Sequence, residues 1–190
     1  MTLNVQAAIA YTRESLGLVW LVGLAFTKRT VRSQPNGARI FHLVVALLGF
    51  FLIGSDFFSA GWLGLRFLPA DQRLQLTGLA VTIAGCLFAI WARITLGSNW
   101  SGRATVKAGH ELIVTGPYAL ARHPIYTGLL VAALGTGLAT GKMRCIVGFI
   151  LIILALFIKM SQEERLMMQT FPEAYPSYRR RVKALIPGVF

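Results

Sequence analysis

The chain has 190 residues, 55% of them hydrophobic and only 14% charged, with a mean hydropathy of +0.63. A soluble domain carries about a quarter charged residues, so composition excludes an ordinary soluble domain and indicates one compact integral membrane unit over 1–190. The net charge of +12 falls in the short segments between apolar runs. That is the positive-inside pattern, suited to anionic lipid headgroups rather than nucleic acid.

A membrane span needs about 20 mostly apolar residues. The first candidate runs from about 3 or 15 to 27; Arg13 and Glu14 interrupt its N-terminal half. That run lacks a small-residue cleavage site and ends in Lys28-Arg29, so it does not read as a cleavable signal peptide. The second candidate covers 40–65 and the third 74–96. Two more, 125–140 and 143–160, are separated only by Gly141 and Lys142 and read as a tight antiparallel hairpin of helices. Gly128, Ala132, Gly135 and Ala139 recur at helical spacing, a small-residue face for close helix packing. The Gly-Thr-Gly at 135–137 lies inside this helix and is no dinucleotide fingerprint. Cys86 and Cys145 lie in apolar runs and read as small core residues, without disulfide or metal spacing.

Basic residues set the orientation. Lys28, Arg29, Arg32 and Arg39 follow the first span; Arg103, Lys107 and Arg122 follow the third; Arg165, Arg179, Arg180, Arg181 and Lys183 follow the fifth. With five spans these fall on one side, which becomes cytoplasmic, and the N-terminus is outside. Lys142 and Arg144 dissent at the hairpin tip. Asp56 reaches the outer interface or pairs with Arg66, Arg93 snorkels, and the arginine run 179–181 lies on anionic lipid.

The segment GPYALARHPIYTG, 116–128, places Tyr118, Arg122, His123 and Tyr126 at a membrane boundary. Polar groups there are costly unless they bind something. Glu163-Glu164 closes the last apolar run on the same side, so the two blocks are expected to share a pocket. His123 precedes Pro124, which suits it as the last loop residue before a helix. Each polar group also has a purely structural reading: belt aromatics for Tyr118 and Tyr126, snorkelling for Arg122, loop charges for Arg103 and Lys107. The glutamates have one too, as partners of Arg165 or the arginine run.

In order, LGSNWS (96–101), VKAGHELIVTGPY (106–118), RHPIYTG (122–128) and EERL…F…Y..Y...V...IP (163–187) resemble the isoprenylcysteine carboxyl methyltransferase family, close to its short prokaryotic members. The resemblance covers the C-terminal half; the N-terminal third carries no matching motif. It implies about five transmembrane helices, of which 1–97 supply the first three, and a cytoplasm-facing cofactor pocket built by 98–190. It implies S-adenosylmethionine as methyl donor and a lipid-borne acceptor. The family's cofactor contacts fall here on His110, Glu111, Leu112, Ile113, Tyr118, His123, Pro124, Ile125, Tyr126 and Glu163, and Arg122 is added as a cofactor-binding candidate because its guanidinium suits a cofactor carboxylate or a lipid headgroup. Lys159, Glu163 and Glu164 are the expected catalytic positions, with Lys159 standing where the family tends to place a substrate-contacting arginine. Lysine keeps the charge but loses the bidentate fork. The expected reaction is carboxyl O-methylation of an isoprenylcysteine-like acceptor, with no metal. The alternatives are N-methylation of a phospholipid amine, an NADPH-dependent reductase, and a non-catalytic lipid-binding protein. The reductase is disfavoured because sterol reductases tend to carry Arg-Asp-Glu…Lys-Cys where this chain has Gln162-Glu163-Glu164-Arg165.

Overall fold

The computed structural model describes residues 4–25, 30–33, 36–100, 105–107 and 111–188. Helix α1 spans Val5–Leu24, and its start is fixed by Asn4, whose side chain accepts from the Ala7 N–H. Arg13 does not break this helix, because its guanidinium donates to the Gly54 carbonyl at the end of the next one. Helix α2 spans Asn36–Gly54, shorter than the expected 40–65. The chain leaves the helix at Ser55-Asp56, where turn-forming residues compete with the helical backbone. A single 3-10 turn, Gly61–Gly64, follows. Asp71 accepts from the Arg73 and Leu74 N–H groups to start α3, Gln72–Leu96.

Helix α4 spans Pro124–Thr140 and α5 spans Met143–Thr170, so α5 continues past the expected end at residue 160. Its extension is polar on one side and brings Glu163 and Glu164 onto a helix rather than a loop. Between α4 and α5, Gly141 takes φ 66°, the left-handed turn that closes the hairpin. Helix α6, Ala174–Arg181, and an irregular tail complete the described chain. Beside an isolated bridge between Arg66 and Lys142, the strand structure among the described residues is a short antiparallel ribbon. In it β1, Thr30–Ser33, pairs with β2, Thr105–Lys107, with Thr30 opposite Lys107 and Ser33 opposite Thr105.

The small residues decide the packing. Helix α4 lies antiparallel to α3 through Gly78, Thr82 and Gly85 against Gly128, Ala132, Gly135 and Ala139. A Cβ on Gly85 would come within 2.4 Å of the Ala132 amide nitrogen, and one on Gly135 within 2.5 Å of that of Thr82. At the centre of this contact the Thr82 and Thr136 hydroxyls lie 3.3 Å apart. Helices α2 and α5 repeat the device, with Gly49 against Gly148. Although α4 and α5 form a hairpin in sequence, each packs chiefly on another helix, α4 on α3 and α5 on α2. The seam between these two pairs holds the site.

Three basic residues have other roles than expected. Arg93 does not snorkel: it is 5% exposed and donates to the carbonyls of Gly23 at 2.7 Å and Gly97 at 2.9 Å, with its guanidinium 4.4 Å from the centre of the Trp100 ring. The open carbonyls where α1 and α3 end give it acceptors inside the protein. Arg144 is also buried, donating to the Leu52 and Ile53 carbonyls and to Asp56. Asp56 therefore pairs with Arg144 and Lys142, at 2.9 and 2.8 Å, while Arg66 donates to the Leu68 carbonyl instead. The dissenting charges at the hairpin tip are thus partly neutralised and hold the end of α2.

Helices α3 and α5 are each long and apolar enough to cross a membrane, and α4 and the Ile40–Gly54 part of α2 are shorter apolar helices. Much of the outer surface is large and apolar, including Leu18, Phe41, Leu87, Ile94 and Ile150. So many exposed large apolar side chains suit lipid rather than water.

Candidate active site

The two polar blocks meet at one end of the helices. Thr127 and the backbone of Arg122 and His123 are clipped to the C-terminal tail. The Arg122 N–H donates to the Lys183 carbonyl at 2.8 Å, the His123 N–H to that of Ala184 at 2.9 Å, and the Thr127 hydroxyl to that of Leu185 at 2.8 Å. His123 stands just before α4 with φ −121°, and the buried Pro124 opens the helix. The rigid turn aims the imidazole at α5, where Glu163 and Glu164 wait on successive positions.

His123 lies between the two carboxylates. Its Nδ1 is 3.6 Å from Glu163 Oε2 and its Nε2 is 3.3 Å from Glu164 Oε1. The ring stacks parallel on Tyr126, centroids 5.3 Å apart, and the Tyr126 hydroxyl donates to Glu163 Oε2 at 2.6 Å. Burial works against the imidazolium, but hydrogen bonds and charge from Glu163 and Glu164 outweigh it and raise the His123 pKa above its ordinary value. When protonated, the ring donates from Nε2 to Glu164, while Nδ1 at 3.6 Å makes a longer ion pair with Glu163.

The two glutamates part company. Glu163 lines the cavity beside Lys159, whose Nζ is 3.8 Å from Glu163 Oε1 and 5.3 Å from the centre of the Tyr126 ring. Glu164 does not line the cavity. Its Oε1 accepts from Arg122 Nε at 3.0 Å and Nη2 at 2.6 Å, and its Oε2 is 3.4 Å from Arg179 Nε. Arg122 Nη1 donates to the Val182 carbonyl at 2.6 Å. Glu164 is therefore a hub that fixes Arg122, His123 and the tail, with the structural role weighed for Arg179 now filled by an ion pair rather than by lipid alone.

The cavity has a volume of about 450 Å³. Its polar end is formed by Glu111, Tyr118, Arg122, His123, Tyr126, Lys159 and Glu163, with Leu112, Ile113 and Ile125 between them. Burial, reinforced by the charge of Glu163, raises the pKa of Tyr118, which keeps its phenol neutral. The backbone carbonyl of Tyr118 accepts from the Tyr178 hydroxyl at 2.6 Å, and burial pushes that hydroxyl up to about 12. The other end is apolar and runs between Leu43, Ala46, Leu47 and Phe50 of α2, Leu129 of α4, and Ala155 and Leu156 of α5. Of the residues anticipated from the sequence, Pro124 shapes the backbone without lining the cavity, and His110 and Arg103 lie outside the described residues.

Sequence reasoning missed several lining residues. Tyr175 and Tyr178 were visible in the tail motif, and Trp100 in LGSNWS, but none carried a charge to mark it. Trp20 and His42 lie in the N-terminal third, where no motif pointed to them.

These features define a helical protein with a polar pocket at one end of its bundle and an apolar gallery opening from it. The model of the isoprenylcysteine carboxyl methyltransferase (ICMT) family matches residues 77–169, which include the α3–α4 pair, the His123 turn and the paired glutamates. The chain is 30% identical over 119 residues to the protein-S-isoprenylcysteine O-methyltransferase of Homo sapiens, covering 61% of this chain and 42% of that protein. It is 32% identical over 115 residues to a probable protein-S-isoprenylcysteine O-methyltransferase of Oryza sativa subsp. indica, covering 59% and 60%. The Schizosaccharomyces pombe protein-S-isoprenylcysteine O-methyltransferase is 29% identical over 116 residues, covering 60% and 49%. The chain is thus similar to the isoprenylcysteine carboxyl methyltransferase family over residues 77–169, and it matches between 42% and 60% of the length of these relatives.

Proposed function

We propose that this protein transfers a methyl group from S-adenosylmethionine to the carboxylate of a lipid-borne, isoprenylcysteine-like acceptor. One observation carries the reading: a single cavity joins the Tyr126–Glu163–Lys159–His123 cluster to an apolar gallery between α2, α4 and α5. The family match over residues 77–169 and the names of the similar proteins support the same reaction.

The polar end fits the donor. Glu163 offers an anion to an ammonium, His123 and Arg122 offer positive charge, and Tyr118, Trp100 and Tyr178 offer aromatic faces. Glu163, His123, Tyr118 and Tyr126 would hold S-adenosylmethionine, which when bound supplies an electrophilic methyl. The chain's part is alignment and exclusion of water. Lys159 would hold the acceptor carboxylate at the mouth of the gallery. Glu163 already accepts from Tyr126 and pairs with Lys159 and His123, and the two carboxylates shift His123 toward its protonated form. Groups committed in this way are poor proton acceptors, which suits a carboxylate, since it needs no base, better than an amine, which does.

In this reading the protein is a multi-pass membrane protein of one domain over 1–190, and the polar end faces the cytoplasm. The gallery opens sideways to the bilayer, as a water-insoluble acceptor requires. The test is steady-state methyl transfer by purified protein to a carboxylate-bearing prenyl thioether and to an aminophospholipid. The carboxylate compound is expected to be methylated, and Lys159→Ala to raise its KM or cut turnover with little change in donor affinity. Efficient transfer to the aminophospholipid alone, or to a small water-soluble acceptor alone, overturns the proposal.

A further inference from the structure

The C-terminal arm is strongly basic. From Arg165 to Gly188 it holds Arg165, Arg179, Arg180, Arg181 and Lys183 against one acid, Glu173. Helix α6 sorts these residues. Tyr175 and Tyr178, three positions apart and so on one face, are each 3% exposed and line the cavity. Arg179 is shared: its side chain is 53% exposed, with Nε 3.4 Å from Glu164 Oε2. Arg180, Arg181 and Lys183 are exposed and make no ion pair among the described residues. Unpaired bases so close together repel one another unless an anion lies against them.

Hydrogen bonds fix the height of this patch. Helix α4 has 17 residues, about 25 Å at 1.5 Å per residue, close to the roughly 30 Å of a bilayer's hydrocarbon core. Its first turn therefore stands at one boundary of that core. The tail is tied to this turn. The backbone N–H groups of Arg122 and His123 donate to the Lys183 and Ala184 carbonyls, and the Thr127 hydroxyl donates to that of Leu185. Lys183 is thereby held at the height of the lipid headgroups, with Arg180 and Arg181 close by in the chain. Ile186, the next residue along the tail, is 54% exposed. Bases beside an exposed apolar residue at that height match an anionic bilayer surface rather than a soluble anion.

The patch adjoins the cavity. Arg122 Nη1 donates to the Arg179 and Val182 carbonyls, which flank Arg180 and Arg181, and the Tyr178 hydroxyl donates to the Tyr118 carbonyl. An anion that draws Arg180, Arg181 and Lys183 together steadies the segment that carries the two tyrosines. We infer that Arg180, Arg181 and Lys183 bind the headgroups of anionic phospholipids in the surrounding bilayer, and that this contact seats α6 over the cavity. The site goes beyond the proposed methyl transfer, since its lipid is neither donor nor acceptor.

The test needs neither donor nor acceptor. The whole chain is placed in nanodiscs of phosphatidylcholine, alone or mixed with phosphatidylglycerol, and hydrogen exchange of the 174–185 backbone is followed by mass spectrometry. Phosphatidylglycerol is expected to slow exchange there in wild type and not in Arg180→Gln/Arg181→Gln/Lys183→Gln. Arg180→Lys/Arg181→Lys, which keeps the charge, is expected to retain the protection. The share of phosphatidylglycerol that gives half the effect is expected to rise about fivefold for each base removed singly. Arg73→Gln, at the opposite end, is expected to respond as wild type does. Equal protection in phosphatidylcholine alone, or an equal response of wild type and the triple variant, overturns the inference. Glycerol 3-phosphate that protects as well in phosphatidylcholine nanodiscs overturns it in favour of a soluble anion. Protection by an acidic peptide and not by phosphatidylglycerol overturns it in favour of a protein partner.

Discussion

At the scale of single residues, the decisive feature is that the imidazole of His123 is flanked by two carboxylates and stacked on Tyr126. If His123 and Glu163 hold the donor, His123→Ala and Glu163→Ala each remove a hydrogen bond to a charged group. Such bonds are worth roughly 1.5–3 kcal/mol, about ten- to a hundredfold in affinity. Calorimetric titration with S-adenosylhomocysteine is expected to show that loss in both variants, and unchanged affinity in both would remove the donor from this site. The same geometry sets a pH dependence. The His123 pKa is raised in the folded protein, so the folded state binds the proton more tightly than the unfolded chain. Its contribution to stability is fully present below about 6.5 and is lost as pH rises through the raised value. The difference in melting temperature between wild type and His123→Gln is therefore expected to be largest near the ordinary histidine pKa and to shrink toward alkaline pH. A difference that grows with pH would mean that His123 is buried neutral.

At the scale of elements, glycine spacing sets which helices touch. Gly85→Ala places a methyl carbon within 2.4 Å of the Ala132 amide nitrogen, while a Cβ at Gly17 on α1 meets nothing within 4 Å. Forcing atoms into a packed contact costs typically about 1–3 kcal/mol, whereas removing glycine from an open helix position gains up to about 1 kcal/mol. Thermal unfolding in detergent is expected to show Gly85→Ala destabilised and Gly17→Ala unchanged or slightly stabilised. Equal behaviour of the two variants would place the α3–α4 contact elsewhere. The small-residue face of α4 was legible in the sequence because its period is helical; its partner was not, since Gly78 and Gly85 lie in a separate run with no mark of pairing. The convergence of 116–128 with the paired glutamates was legible from polarity beside apolar runs. The continuation of α5 was not, because SQEERLMMQT is polar enough to look like the end of a span while every residue in it favours or tolerates a helix. Arg93 and Arg144 misled for one reason: sequence gives the charge but not the carbonyls that receive it. His42 and Trp20 were invisible because isolated residues acquire meaning only from the neighbours that α2 and α1 bring to them.

At the scale of the whole molecule, charge divides the two ends of the bundle. Arg93 ties the end of α1 at Gly23 to the end of α3 at Gly97, so these two helix ends lie together. Lys28, Arg29, Arg32 and Arg39 follow α1 in sequence, Arg122 and Arg179 pair with Glu164 at the site, and Arg165, Arg180, Arg181 and Lys183 are their sequence neighbours. At the other end Lys142 and Arg144 are paired with Asp56, and Asp71 stands beside Arg73. That end carries Arg66, Arg73, Lys142 and Arg144 against Asp56 and Asp71, a smaller excess of bases than the segments that follow α1 and α5 carry, so the rule that basic loops stay inside supports the proposed cytoplasmic placement of the cavity end. The proposed orientation would also give the proposed water-soluble donor access to the polar end. Reporter fusions after Lys183 are expected to report a cytoplasmic location, and fusions near Asp71 the opposite side. Asp56→Asn frees Lys142 and Arg144 and is expected to weaken that asymmetry without touching the site. A tail cut by protease added outside intact cells would reverse the orientation, place the cavity away from its donor, and end the case for a cytoplasm-facing methyltransferase.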